Sequence, residues 1–459
     1  MHKFLHTILI FFTFTLSAQA MIYETGTLRG LVLGGCADCE YDNWVSHVVE
    51  GVARPGYNDY GPAWFDPQTN GFGTYTNIPT SAAGDQTLAD WRFVFNALLS
   101  GQWGRVDSTL SAHGSTWRYD LVRLYDPSLQ RNFYLLRERI DNSFIDPNVD
   151  TVATDDVVGS FRNGWGLFIF NPAPLFGKLA IEIPHPEDDF LAVPLGLELF
   201  IRTDARAFLL AGASREALWD TTQAQFTNSN SLSDPSRNGR TPFQIYHEVL
   251  FDRLDGGPTS QMVTVDMHSY DHLLHYGRKN IQMSAFYDDN RPNPPLRDQA
   301  DHADLIHFMG RQPVNGLPGH PESTCGISQY VCMLSSPAYS FYGTTDTVSI
   351  SNSVDLPGFS WNKQGSYSHR VHNADIDPEN FIHVELDEYP ENLWSPVQWQ
   401  TWLPGPMPPH YSTFSLAIAY YTPFVVALDS ALRRSHLYPD LQPPAPVRLT
   451  ACTYHGADS

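Results

Sequence analysis

The stretch KLAIEIPHPEDDFLAVPLGLELFIRTDARAFLLAGAS, residues 178–214, decides the fold class. Its first part, KLAIEIPH (178–185), is an apolar run with the length and β-branched content of a buried strand. LAVPLGLELFIRT (191–203) is long enough for a helix, and ARAFLLAGA (205–213) reads as a second strand. Strand, helix and strand in immediate succession imply a crossover unit, and so an α/β fold with a mixed, largely parallel central sheet flanked by helices.

The pattern extends in both directions. Upstream, YDLVRLYD, RNFYLLRERI and GWGLFIFN are three strand-like runs bounded by turns such as Asp126-Pro127 and Asn171-Pro172. Downstream, TPFQIYHEVLFDRL is an amphipathic helix with Thr241 as its cap and Pro242 in its first turn. QMVTVDMHS and FIHVELDEY (381–389) are further strands, and Phe414 to Arg434 is the last helical window. Residues 21–115 are rich in Gly, Asn, Thr and aromatic side chains, with one clear helical window at 87–99. They read as an irregular, β-rich N-terminal region ahead of an α/β domain over 116–437. Residues 438–459 read as a linker or the start of a truncated β module.

The first twenty residues, MHKFLHTILIFFTFTLSAQA, combine basic Lys3, an apolar run too short to span a bilayer, and small Ala18 and Ala20 at a cleavage spacing. An exported chain, secreted or periplasmic, is expected to begin near Met21. The uncharged stretch Ser412 to Leu428 contains Pro423 and reads as a core helix with a bend, so no membrane span is expected. The about 440 remaining residues suffice for a sizeable core.

With 50 acidic and 28 basic residues the formal charge is −22, which argues against nucleic acid or an anionic membrane as partner. A small molecule or a peptide remains as the expected substrate; the sequence does not fix the oligomeric state. Five cysteines are present, and Cys36/Cys39 and Cys325/Cys332 are candidate local disulfides, with Cys452 left over.

In open α/β sheets functional groups gather at the carboxyl ends of the strands. Polar, metal-capable residues stand at the ends of three strands here: His185, Asp188 and Asp189 after the first, His268 after MVTVDM, and Glu385 within FIHVELDEY. A catalytic zinc ion takes about three His, Asp or Glu ligands and keeps one position open. His185, His268 and a carboxylate supply that set, with His185-x-x-Asp188 placing two ligands on one turn and Asp189 as the alternative carboxylate. Glu385 is the candidate general base, and Arg215, beyond the strand end AGAS, the candidate grip for a substrate anion or oxyanion. The plainer role for Asp188 or Asp189 is a helix N-cap. Neither a G-x-S-x-G elbow nor an H-E-x-x-H helix occurs, which removes support from serine-hydrolase readings.

Three elements, Ile183-Pro184-His185, Val265-Asp266-Met267-His268-Ser269 and His383-Val384-Glu385-Leu386, resemble the N-formylglutamate amidohydrolase family and, more distantly, the zinc carboxypeptidase and aspartoacylase group. The resemblance covers about residues 160 to 435, and the D-x-H-S element is its closest part. It implies a zinc-carboxypeptidase-like fold, a Zn2+ cofactor and hydrolysis of an amide bond, as an N-acyl amino acid amidohydrolase or a carboxypeptidase-like enzyme. HPEDD leaves the carboxylate ligand open between Asp188 and Asp189, and Ala213-Ser214-Arg215 is a loose stand-in for the family's substrate-binding box. The alternative from another class is a secreted or surface binding protein that keeps the fold without metal catalysis.

Overall fold

The computed structural model describes residues 21–34, 75–141, 160–186, 191–215, 228–256, 262–270, 281–285, 362–372 and 381–387, together with 189, 217–220, 222–223, 341–342 and scattered positions within 44–48 and 421–433. The expected signal segment, Asp188, the five cysteines and the tail from 438 lie outside the described residues.

The described chain folds as α/β. Its strands are β1 (Ile22–Thr25), β2 (Tyr119–Asp126), β3 (Arg131–Glu138), β4 (Ile140–Asp141), β5 (Ser160–Phe161), β6 (Leu167–Phe170), β7 (Phe176–Ile183), β8 (Ala205–Leu210), β9 (Val263–Tyr270), β10 (Ile281–Ala285), β11 (Phe341–Tyr342) and β12 (Phe381–Asp387). Helices α1 (Leu28–Leu33), α2 (Ala82–Leu99), α3 (Trp103–Ala112), α4 (Ala192–Thr203), α5 (Pro242–Leu254) and α6 (Lys363–His372) accompany them.

Ten strands form one mixed sheet in the order β1-β2-β3-β6-β8-β7-β9-β12-β10-β11. Its centre, β8-β7-β9-β12, is parallel throughout. The β7–α4–β8 unit is the crossover read from residues 178–213. On the N-terminal side, β2, β3 and β6 are antiparallel, and β1 joins β2 in parallel at the edge. Ile22–Thr25 are thus part of the main sheet.

Both sheet faces are covered, as a parallel centre requires. On one face Leu179, Ile181 and Ile183 of β7, Val265 and Met267 of β9, and Ile382 and Val384 of β12 pack with Val193, Leu197 and Phe200 of α4. Tyr421, Phe424 and Leu428, from helical residues within 421–433, complete this core, in agreement with the core-helix reading of that stretch. No helix among the described residues is long and apolar enough to cross a membrane.

On the other face α2 and α5 lie over β2, β3, β6, β7 and β8. Trp91 stacks on Trp117 at 4.5 Å, and Phe95 on Tyr246 at 4.4 Å. The predicted caps of α5 are present: the Thr241 hydroxyl accepts from Gln244 N–H at 3.0 Å, and Pro242 occupies the first turn. Helix α2 begins earlier than the apolar period suggests, because Ser81 caps it by accepting from Gly84 N–H.

Side chains alternate along a strand. On β7, β9 and β12 the residues between the aliphatic ones, Glu182, Asp266, His268, His383 and Glu385, therefore face the α5 and α6 side. The parallel register sets His383 beside Asp266, Glu385 beside His268, and Glu182 beside Asp266. This polar column inside the sheet is what positions the site.

Candidate metal centre

His185 stands two residues past the end of β7, where the chain turns toward α4. Asp189 N–H donates to the His185 carbonyl at 2.9 Å, and Ala192 N–H to that of Asp189, so one tight turn carries both side chains. The helix itself is capped at Leu191 with no side-chain hydrogen bond. The N-cap role foreseen for an aspartate here is not the one Asp189 takes: its carboxylate points to the histidines.

Three ligand-type atoms converge at the carboxyl ends of β7 and β9. His185 Nδ1 lies 3.1 Å from Asp189 Oδ2 and 3.1 Å from His268 Nδ1, and His268 Nδ1 lies 2.7 Å from Asp189 Oδ2. A tetrahedral ion with bonds of 2.0–2.1 Å sets its ligands about 3.3 Å apart, so the triangle is close to the size such an ion requires. All three residues are buried.

The other side of each ring explains the chemistry. His185 Nε2 faces Asp234 Oδ1 at 2.9 Å, and His268 Nε2 faces Asp266 Oδ2 at 3.1 Å. A carboxylate only accepts, so each neutral ring carries its proton on Nε2 and donates outward. Two Nδ1 lone pairs and a carboxylate oxygen then converge on one point with no donor among them. A cation at that point relieves the mutual repulsion; without one, extra protons must do so.

The titration behaviour follows. Burial and the Arg215 charge work against protonating His185, but Asp234 and Asp189 outweigh them and raise its pKa. Burial likewise opposes charge on His268, while Asp266 and Asp189 push its pKa well above the ordinary histidine value. Asp189 is held far below the usual carboxylate range: burial acts against ionisation, and Arg215, His185 and His268 overcome it. Asp234 is lowered to about 2 against its own burial, by His185 first and then Arg215 and Arg237.

Of the residues expected from the sequence, His185 and His268 meet with Asp189 beside them, and Asp188 lies outside the described residues. Arg215 Nη2 donates to Asp189 Oδ1 at 3.0 Å, with a fifth of its side chain exposed. Glu385 lies next to His268 in register on β12, and His383 Nε2 meets Glu385 Oε1 at 3.1 Å.

Sequence reasoning missed the supports. Asp234 sits in an Asx turn, its Oδ1 accepting from Ser236 N–H at 2.7 Å, and an Asp-Pro-Ser turn of this kind carries no signal of a histidine partner 49 residues away. Asn362, just before α6, donates to Asp266 Oδ2 at 3.1 Å. Glu182 was legible as a carboxylate inside an otherwise apolar strand, and such a residue requires a partner. The partner is His247 of α5, whose Nδ1 lies 2.8 Å from Glu182 Oε1 and whose Nε2 lies 2.9 Å from Ser368 Oγ of α6. This Ser-His-Glu row has the order of a hydrolytic triad, but all three residues are 0% exposed, so no substrate reaches the hydroxyl. Its role is to tie the sheet to α5 and α6.

Compared with protein-family models, curated proteins and solved structures, the chain matches none.

Proposed function

We propose that the chain is an exported zinc-dependent hydrolase of amide bonds, acting on an N-acyl amino acid or, like a carboxypeptidase, on a peptide end. The observation that carries this reading is the convergence of His185 Nδ1, Asp189 Oδ2 and His268 Nδ1 with a carboxylate behind each ring. Carboxylate–histidine pairs of this kind fix the tautomer and orientation of metal ligands. The donor set, two imidazoles and one carboxylate, suits Zn2+ and leaves room for a fourth ligand. The resemblance of the P-H, D-x-H-S and H-x-E elements to N-formylglutamate amidohydrolases and zinc carboxypeptidases supports the same class.

Bound there, the ion supplies Lewis acidity and lowers the pKa of water. The remaining work belongs to the chain. Asp234 and Asp266 hold the two rings with Nδ1 inward. Glu385, on the strand beside His268, takes a proton from the attacking water and returns it to the leaving amine. Arg215 positions Asp189, and its exposed fifth meets an anionic group of the substrate.

The test is elemental analysis of the purified mature protein beside a screen of N-acyl amino acids and short peptides. The expected result is bound zinc and amide hydrolysis, with one zinc and the hydrolysis both lost from Asp189→Ala. A wild-type protein that binds no zinc and cleaves none of the amides overturns the reading and leaves a binding protein on a hydrolase-like fold.

A further inference from the structure

We propose that Asp266, His268 and His383 form a second divalent-cation position on the far side of the His268 ring, so that this one imidazole lies between two ions. Nδ1 of His268 faces His185 and Asp189; Nε2 faces Asp266 and His383. Asp266 Oδ2 is 3.1 Å from His268 Nε2 and 3.5 Å from His383 Nδ1, and the three ligand atoms lie within 4.8 Å of one another. The two rings are 4.4 Å apart, centroid to centroid.

The logic of the first position is repeated here. His383 Nε2 is held by a carboxylate, Glu385 Oε1, at 3.1 Å, which directs the Nδ1 lone pair toward Asp266. Asp266 is 0% exposed and is anchored through Oδ2 by Asn362 and His268. Its other oxygen, Oδ1, is buried without a hydrogen-bond partner among the described residues. An ionised carboxylate with one oxygen unsatisfied, its other oxygen set between two imidazoles, is an unusual arrangement to leave uncompensated, and a cation held by this carboxylate compensates it. The mixed nitrogen and oxygen donor set selects a borderline ion such as Zn2+ over Mg2+ or Ca2+.

Charge and protons balance simply. The ion takes the place of the proton on His268 Nε2, which leaves to solvent, and the doubly ligated ring is an imidazolate. Ions on opposite nitrogens of one ring stand farther apart than the 3.5–4 Å typical of two-metal hydrolytic sites. The second ion therefore fixes His268 and β12 and does not share the attacking water.

The inference rests on the proposed function only through the sharing of His268, and the two fail separately. The full mature chain is dialysed against Zn2+ and its bound zinc counted. Two ions are expected in the wild type, one in His383→Ala and one in His185→Ala. One ion in both the wild type and His383→Ala overturns the second position and leaves the first standing. Zinc lost from His383→Ala but fully retained in His185→Ala upholds the Asp266 position and overturns the His185 one. A measurement on unmutated protein guards against misfolded variants: Cu2+ alone, added to two equivalents, is expected to give an exchange-coupled electron paramagnetic resonance signal. Two independent Cu2+ signals, or one, overturn the shared ring.

Discussion

The Nδ1 atoms of His185 and His268 face each other at 3.1 Å, and each ring is backed by a buried aspartate, Asp234 or Asp266. Two imidazole nitrogens adopt that approach when something positive belongs between them. On the proposed zinc reading, the carboxylate behind His185 is part of its ligand strength. Asp234→Asn keeps the size of the side chain and removes its charge, so zinc affinity at this position is expected to fall about 10–100-fold. Competition with a chromophoric chelator measures it; an unchanged dissociation constant would show that His185 is not a ligand.

Asp189 Oδ2 lies 3.1 Å from His185 Nδ1 and 2.7 Å from His268 Nδ1, and its Oδ1 accepts from Arg215. Asp189→Asn is expected to lose the zinc held by His185, whereas Asp188→Asn retains it. Zinc content of the two variants, measured on protein that passes the same unfolding test, separates them. Loss from Asp188→Asn instead would move the ligand by one residue.

The strand–helix–strand unit at 178–213 was legible because its apolar runs have lengths that admit one reading each, and the ends of those runs marked His185 and His268. The choice between Asp188 and Asp189 was not legible, since it depends on how the turn after His185 closes, through Asp189 N–H to the His185 carbonyl. Helix α6 was missed because KQGSYSHRVH has no apolar stripe; it is held by Gln364, which donates to the Pro235 carbonyl, and by Asn362. Asp234 and Asn362 enter the site from loops, where long-range pairing leaves no local period.

Arg215 separates two roles. Expected from the sequence as a grip for a substrate anion, it spends Nη2 on Asp189. If positioning dominates, Arg215→Ala lowers kcat for neutral and anionic amide substrates alike, by about 10-fold or more as the Asp189 carboxylate loses its orientation. A rise in KM confined to anionic substrates, with kcat intact, would restore the grip as its main function.

The row Glu182, His247 and Ser368 offers a check on which chemistry the fold performs. Ser368→Ala removes one hydroxyl partner of His247 and is expected to reduce stability by about 1 kcal/mol while leaving hydrolysis unchanged. His247→Ala strands the Glu182 carboxylate in the interior and is expected to destabilise by about 3–5 kcal/mol. Urea unfolding and an activity assay on both variants decide. Loss of activity in a fully folded Ser368→Ala protein would make this hydroxyl catalytic and contradict its closure.

Glu138 supplies a pH dependence remote from the metal centre. Burial pushes its carboxyl up from 4.5 to about 8, although backbone N–H groups of Asn163, Trp165 and Gly164 donate to it. With the folded value above the unfolded one, the folded state holds a proton that the unfolded state releases. The associated stability is full below about pH 4.5 and is lost progressively as pH rises toward 8. Within that window the slope from this group is about 1.4 kcal/mol per pH unit. Glu138→Gln, which cannot titrate, is expected to flatten it. Urea unfolding at pH 5, 6.5 and 8, values spanning the window between the two pKa values, tests this: the wild type should weaken with pH relative to the variant. Parallel curves for the two proteins would mean that the three N–H donors keep Glu138 ionised throughout, and that its burial is compensated within the 163–165 turn.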